Sequence, residues 1–515
     1  MIARLSPLAS RWPSLIAVLL GGVSAMGFAP LGLWPLLLLC LAAFMALARG
    51  LQSRGAALRA GWCFGFGHFA VGLSWMAHAF TYQEAMPVWL GWFASPFLAL
   101  PLAVYPAVAT GLAWRWGRSN ASLFALYFAA SWIVTEWLRA TLFTGLPWNP
   151  LASAFVDVAG ITGLVGTYGA AGIVILAAAG LSLALSRRWT SALGLLALPL
   201  FALVYGFAEI PGPDDRPVKA TLLIVQPNIG QQDKYRADYA TENFAKLAAL
   251  TVDRKAREPR VIFWPEAAVP DMIGQGDAAS LFARERLVSL LQPGDILLTG
   301  ADLIYEQKTR RGEATETRWI GAANSSFTLD SRGRILWRYD KAHLVPFGEY
   351  VPLRALFTPL GIARLVPGDL DFWPGKGPHT DTIPGLGTVG TQICYEIIFS
   401  GQVVDRAHRP DFLFNPSNDA WYGAWEPAQH LAQARLRAVE EGLPVIRSTP
   451  TGISAVIDAE GRIVSALPLN RPGVLRATLP PAHEPTLFAR FGNRLPLLFA
   501  LMLALIGIAL RPRLR

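Results

Sequence analysis

The chain has 515 residues, 53% of them hydrophobic and 16% charged, with a mean hydropathy of +0.36. Ordinary soluble domains run near 45–50% apolar even with glycine counted, so part of this chain belongs in lipid. The net charge of +9 is carried by arginines scattered over short loops with no basic run, which excludes a nucleic-acid surface as their purpose.

Apolar stretches occupy residues 13–28, 31–48, 61–80, 88–114, 121–134, 161–185 and 192–207, and an eighth, 495–510, closes the sequence. Most approach the roughly 20 residues that cross a ~30 Å hydrocarbon core. Arginines mark alternate loops: Arg4 and Arg11, then Arg49, Arg54 and Arg59, then Arg115 and Arg118, then Arg187 and Arg188, and finally Arg511, Arg513 and Arg515. Loops 29–30 and 81–87 between them contain neither lysine nor arginine. Because short cytoplasmic loops keep positive charge, this alternation predicts both termini inside and the large section outside, with Arg139 alone on the opposite side. The expected division is 1–210 as seven membrane helices, 211–494 as an extracytoplasmic domain, and 495–515 as a last span and tail. The first stretch resembles a signal peptide, but the spans that follow make it an uncleaved helix. In the outer loop 141–160, Phe143-Thr144-Gly145-Leu146-Pro147-Trp148 suits the lipid–water interface, as an anchor or as part of a substrate surface.

From 211 onward the composition becomes that of a globular domain, entered through a linker at 210–213. Strand-like runs at 220–226, 261–264, 296–299, 324–329, 335–339, 388–393, 412–415 and 453–457 alternate with helical runs at 242–257, 279–291 and 427–441. That order predicts a layered α/β domain with its chemistry at strand ends. Of the three cysteines, Cys40 and Cys63 fall in apolar spans and Cys394 stands alone in the outer domain, so it has no partner there for a disulfide. An inert buried thiol and a reactive one are both open on that count.

Three islands of sequence decide between them. In Ile262-Phe263-Trp264-Pro265-Glu266, an apolar strand runs into a carboxylate, where desolvation is expected to raise its pKa toward that of a general base. Around Lys341, charged groups alternate with Pro, Gly and aromatics from Tyr339 to Pro352, a pattern that fixes backbone shape and can immobilise an ammonium facing an oxyanion. In Val389-Gly390-Thr391-Gln392-Ile393-Cys394-Tyr395-Glu396, a strand ends on the cysteine where a helix is expected to open, a place that favours thiolate. Seven histidines show no compact zinc spacing, and the reading requires no metal or cofactor.

Glu266, Lys341 and Cys394, each after a strand and in that order, resemble the nitrilase or carbon–nitrogen hydrolase superfamily. Trp264-Pro265-Glu266, Asp340-Lys341, Gly348-Glu349-Tyr350, Cys394-Tyr395-Glu396 and Asn415-Pro416-Ser417-Asn418-Asp419-Ala420-Trp421 are similar, more narrowly, to the apolipoprotein N-acyltransferase family, as are the flanking spans and the loop at 143–148. The resemblance implies an α-β-β-α sandwich on a polytopic helical membrane part, set in the bacterial inner membrane with the catalytic domain on the periplasmic side. It implies a phospholipid acyl donor, typically phosphatidylethanolamine, a thioester on Cys394, and transfer to the α-amine of a diacylglyceryl-cysteine at an apolipoprotein N-terminus. Glu266 is then base, Lys341 oxyanion stabiliser and Cys394 nucleophile, with Glu349, Tyr395 and Glu396 in support. Trp148, Tyr235, Asn324 and Trp421 are the candidate substrate contacts, Tyr235 standing where some relatives place Trp.

Three rivals remain to be weighed: a membrane-tethered amidase with the same triad, a Cys394–His343 dyad that makes Lys341 dispensable, and a transporter or receptor whose outer domain binds solute. The near absence of charge inside the spans speaks against the last.

Overall fold

The computed structural model describes residues 11–82, 87–207, 220–234, 236–311, 314–357, 359 and 370–511. Arg4, Arg513, Arg515, Tyr235 and the linker at 210–213 lie outside them.

The first half is helical: α1 (Pro13–Ser24), α2 (Trp34–Gly50), α3 (Arg54–Gly72), α4 (Gly91–Leu102), α5 (Val104–Gly117), α6 (Ala121–Thr141), α7 (Thr162–Leu185) and α8 (Trp189–Phe207). Four apolar helical stretches, Val88–Gly117, Ala121–Thr141, Leu151–Leu185 and Trp189–Phe207, are long enough to cross a bilayer, with shorter apolar helices at Pro13–Gly27 and Trp34–Gly50. Side chains that water would reject cover their outer surface, with Phe97 61% and Val204 70% exposed. Small residues bring the helices together, since a Cβ on Gly21 would stand 2.0 Å from the Phe64 carbonyl oxygen and one on Gly67 2.1 Å from that of Val18.

Two expected boundaries shift for identifiable reasons. The stretch 88–114 is a helix pair, α4 and α5, because Pro106 has no N–H to offer the carbonyl of Leu102. The stretch 121–134 extends through Thr141, because Glu136 and Arg139 pair with each other at 3.6 Å inside α6 instead of ending it. Arg139 is therefore not an exposed loop charge. Its Nη1 donates to the carbonyls of Leu146 and Trp148 at 2.6 and 2.9 Å and so ties down the loop that follows the helix.

The second half contains two six-stranded sheets, ordered β12-β1-β2-β3-β4-β5 and β11-β10-β9-β8-β7-β6. The strands are β1 (Thr221–Gln226), β2 (Arg260–Phe263), β3 (Ile296–Arg311), β4 (Ala314–Asp330), β5 (Ile335–Asp340), β6 (Thr380–Ile383), β7 (Gly387–Thr391), β8 (Phe412–Pro416), β9 (Val445–Ser448), β10 (Ala455–Ile457), β11 (Ile463–Ala466) and β12 (Gly473–Ala477). Strands β1 to β3 run parallel, as do β7 to β9. Alternation along β1 shows how the layers form: Leu222 and Ile224 pack with Phe412, Phe414 and Ile446 of the other sheet, whereas Leu223 and Val225 pack with Leu247 of α9 (Ala240–Thr251) and Leu287 of α10 (Ala278–Val288).

The outer face of the second sheet is covered by α11 (Glu426–Glu441). Its Leu431, Ala434 and Ala438 join one core with Leu413 and Val445 of the sheet and Phe69, Leu102 and Trp148 of the membrane half. The α-β-β-α sandwich thus shares its last helical layer with the membrane helices. α12 (Arg494–Leu510) returns the chain to them, its Phe499 and Leu503 packing among residues of α6 and α7.

Candidate active site

Glu266, Lys341 and Cys394 follow β2, β5 and β7, at the edge of the sandwich where the parallel strands end. Glu266 reaches this edge because Pro265 stops the strand and Gly300 of β3 lets the turn lie against it; a Cβ there would stand 2.3 Å from the Ala267 nitrogen. Lys341 is fixed by its main chain, whose N–H donates to the Asn324 carbonyl of β4 at 2.9 Å. Cys394 has φ +50°, a left-handed conformation that a non-glycine residue adopts only when its surroundings enforce it.

The side chains meet in a buried cluster. Lys341, 1% exposed, donates from Nζ to Glu349 Oε1 at 3.0 Å and to Glu266 Oε1 at 3.4 Å. Asn324 Nδ2 donates to the same two carboxylates, at 2.6 Å to Glu266 and 3.0 Å to Glu349. Glu349 is held in turn by the Val345 N–H at 2.7 Å. The Cys394 thiol lies beside the Glu266 carboxylate, and each acts on the other's charge state.

Electrostatics here reverses two expectations. Burial alone would raise the Glu266 pKa, but the charges of Lys341 and Lys234, with the hydrogen bond from Asn324 and the Cys394 thiol beside it, hold it below the usual carboxylate range. Burial, with the Glu266 charge beside it, pushes the Cys394 thiol far up, so the resting pair is thiol and carboxylate, not thiolate and acid. The expected helix after Cys394 is one short 3-10 turn, Cys394–Ile398, too short to lower a thiol pKa by its dipole. Lys341 loses solvation on burial, yet Glu349 and Glu266 raise its pKa well above normal, so it stays an ammonium.

Glu396 joins the cysteine turn to the lysine loop. Its Oε1 accepts from Tyr339 Oη at 2.8 Å, the Ala342 N–H at 2.8 Å and the His343 N–H at 3.1 Å, while Oε2 accepts from the Ile393 N–H at 2.7 Å. Burial pushes it up to about 7 against the pull of those bonds. Tyr395 donates to the Gly145 carbonyl at 3.0 Å and so anchors the membrane loop. His343 stacks on Phe399 with ring centroids 3.7 Å apart and lies beside the Thr144 main chain; these contacts do not couple it to Cys394. Trp148, 3% exposed, donates from Nε1 to Gln429 of α11 at 2.8 Å, and Trp75 donates to the same oxygen at 3.1 Å. Trp421 is buried, and its Nε1 faces the Asn418 carboxamide oxygen at 3.2 Å.

Three residues here carry no motif in the sequence. His430 of α11 donates from Nε2 to the Cys394 carbonyl at 3.1 Å. Its Nδ1 lies 3.0 Å from Glu426 and 3.4 Å from Asp419, and Arg447 of β9 holds Asp419 at 2.7 and 2.8 Å. Asp419, Glu426 and His430 are spaced as metal ligands are, within 4.8 Å, but the guanidinium already neutralises the carboxylate a cation would need. The third residue is Lys234, whose Nζ donates to the Glu266 carbonyl at 3.0 Å.

Residues 20–182 match the family profile described as apolipoprotein N-acyltransferase N-terminal domain, and residues 223–484 match that of carbon-nitrogen hydrolase. An apolipoprotein N-acyltransferase of Rhodopseudomonas palustris is 34% identical over 97% of this chain and 95% of its own length. One from Bradyrhizobium diazoefficiens is 34% identical over 93% of this chain and 91% of its own. A solved amidase of Nesterenkonia sp. AN1, with an acetamide moiety covalently added at its active-site cysteine, aligns with 53% of this chain and 94% of its own at 17% identity and a TM-score of 0.34.

Proposed function

Because the chain belongs to the apolipoprotein N-acyltransferase family, and is thus a bacterial membrane enzyme that N-acylates lipoproteins, we propose that Cys394, Glu266 and Lys341 carry the reaction and that a phospholipid supplies the acyl chain. The observation that carries this reading is the Cys394 thiol set beside an ionised Glu266, with the Lys341 ammonium 3.4 Å from that carboxylate.

In the first half-reaction the thiol proton passes to Glu266 as the sulfur attacks the ester carbonyl of phosphatidylethanolamine. Negative charge moves from the carboxylate to the carbonyl oxygen, where Lys341 faces it in a site of low polarisability. Collapse breaks the ester C–O bond, and the Glu266 proton goes to the departing lysophospholipid oxygen, leaving a thioester on Cys394. In the second half-reaction the α-amine of diacylglyceryl-cysteine attacks the thioester, Glu266 takes a proton from the amine, and the released sulfur regains it. Splitting ester-to-amide exchange at a thioester divides one hard step into two easier ones. Glu349 and Asn324 keep base and ammonium apart and aligned, and Glu396 fixes the cysteine turn against the Lys341 loop.

The arginine alternation supports an inner-membrane setting with both termini cytoplasmic and the domain, bounded near 211 and 494, on the periplasmic side. Trp148, Tyr235, Asn324 and Trp421 are proposed to shape the substrate surface, Trp148 and Asn324 through the groups they hold. Purified enzyme supplied with phosphatidylethanolamine and a diacylglyceryl-cysteine peptide should release lysophospholipid and N-acylated peptide in equal amounts. Free fatty acid in place of the N-acyl peptide would sink the transferase reading and favour the amidase.

A further inference from the structure

Lys234 is half-buried in the short helical turn Gln231–Lys234 that follows β1. Its Nζ donates to the Glu266 main-chain carbonyl at 3.0 Å. The Asn418 carboxamide, oriented with its oxygen toward the donors around it, accepts from the same ammonium at 3.0 Å and from Trp421 Nε1 at 3.2 Å. One cation therefore joins the end of β2, which carries the base, to the segment after β8, which carries Asn418 and Trp421. It also faces the carboxylates of Glu266 and Asp302, together with the Cys394 thiol and the Lys341 ammonium.

Charge arrangement around Glu266 gives this contact a chemical consequence. Lys341 from the end of β5, Lys234 from the turn after β1, Asn324 from β4 and Cys394 from the end of β7 act on the carboxylate directly. Glu349, which shares Lys341 and Asn324 with it, adds a second negative charge, and Asp302 of β3 and Tyr422 also feel the Glu266 charge. Lys341 must serve two acids at once, with its shorter hydrogen bond to Glu349. A single ammonium divided in this way leaves the base short of positive charge.

We propose that Lys234 is a positioning residue of this centre: its ammonium clamps the Glu266 main chain to Asn418 and, as the second cation beside the base, holds Glu266 in the charged form that receives the thiol proton. The balance of the step is unchanged by it. When the Cys394 proton moves to Glu266 and negative charge appears on the substrate carbonyl oxygen, Lys234 neither gives nor takes a proton. Its charge acts on the base before transfer, whereas that of Lys341 acts on both base and oxyanion. Burial brings the Lys234 pKa below the ordinary lysine value, and the charges of Glu266 and Asp302 oppose that shift by favouring its ammonium form.

This inference rests on Glu266 being the base, so the test separates the two. Single-turnover acylation by phosphatidylethanolamine, read as the acyl adduct on Cys394, is followed against pH for wild type, Lys234→Met and Lys234→Arg. An opposite charge at this range moves a carboxylate pKa by about one to three units, so the acid limb in Lys234→Met should rise by that amount above the wild-type one. Lys234→Arg keeps the charge and should restore the wild-type limb even where its rate is lower. In the Glu266→Gln background, Lys234→Met should move no acid limb and slow acylation less than about twofold further, because two residues acting through one group are not additive. An unshifted limb in a folded Lys234→Met, or an arginine variant that shifts as the methionine one does, overturns the role of Lys234. Full acylation by Glu266→Gln overturns the base itself, whatever Lys234→Met does.

Discussion

The membrane half and the outer domain each bury an acid–base pair, and the two pairs are built to different ends. In α6, Arg139 spends its guanidinium on Glu136 and on the carbonyls of Leu146 and Trp148, so the pair closes a loop. At the sandwich edge, Lys341 binds Glu266 and Glu349 while Glu266 also lies beside the Cys394 thiol, so the cluster holds a proton acceptor against a nucleophile. Buried charge alone therefore does not mark a catalytic site. What marks it is a carboxylate set beside a reactive thiol, rather than one that, like Glu136, meets only a guanidinium, an indole N–H and a main-chain N–H.

Substitutions sharpen that contrast. Cys394→Ala should abolish acyl-enzyme formation altogether, while Cys40→Ala and Cys63→Ala leave it intact, as mass spectrometry of each variant after incubation with phospholipid will show. Lys341→Ala should slow acylation on the order of a hundredfold to a thousandfold, the usual cost of an oxyanion donor. Glu266→Gln should slow it roughly a hundredfold or more, as a lost general base does. Lys341→Ala, which leaves the buried Glu266 and Glu349 without their ammonium, should also melt lower, so its rate is read on the folded fraction, whereas Glu266→Gln should melt close to the wild type in detergent. Arg139→Met should show the opposite pattern: about 3–5 kcal/mol of stability lost with the buried Glu136 left unpaired, read as a lower melting temperature, and near-normal acylation in the fraction that stays folded.

The pH profile makes a smaller but sharper distinction. Glu266 is held below its ordinary value of 4.5, so it stays ionised as pH falls to that point, and the acid limb of acylation should lie below it. The Cys394 thiol is pushed above its ordinary 9.0, so the rate should not climb through the usual thiol range, as it would if free thiolate were the attacking species. The smallest effect is expected for His343→Ala, which should change the rate by less than about tenfold, because no proton passes through its ring in this mechanism. An inactive His343→Ala beside an active Lys341→Ala would revive the Cys–His dyad.

Much of the site could be read in the sequence because strand ends concentrate it: Glu266, Lys341 and Cys394 each follow a strand-like run, continuous and apolar before Glu266 and mixed before the other two. The parts that escaped have no such local signal. Lys234 sits in a polar turn, and Arg447 in a four-residue strand whose charge argues against a strand until Asp419 neutralises it. His430 lies on a helix whose buried face is largely polar, because α11 meets the cysteine turn on one side and the membrane loop on the other. The long arms of β3 and β4, 16 and 17 residues, were visible only at 296–299 and 324–329, since Glu306, Gln307, Thr309, Thr317 and Arg318 are exposed beside the equally exposed Trp319 and Ile320, with no core to impose an alternation. Glu136 and Arg139 looked like a helix end because pairing, the feature that admits them to the span, is invisible in a hydropathy profile.

The most direct test of the central claim is mass spectrometry of the purified protein after incubation with phosphatidylethanolamine and no acceptor. A mass increase of one acyl chain, located on the peptide containing Cys394 and discharged when a diacylglyceryl-cysteine peptide is added, is the predicted result. N-acylation of that peptide with no adduct ever detectable on Cys394, and undiminished in Cys394→Ala, would contradict the account.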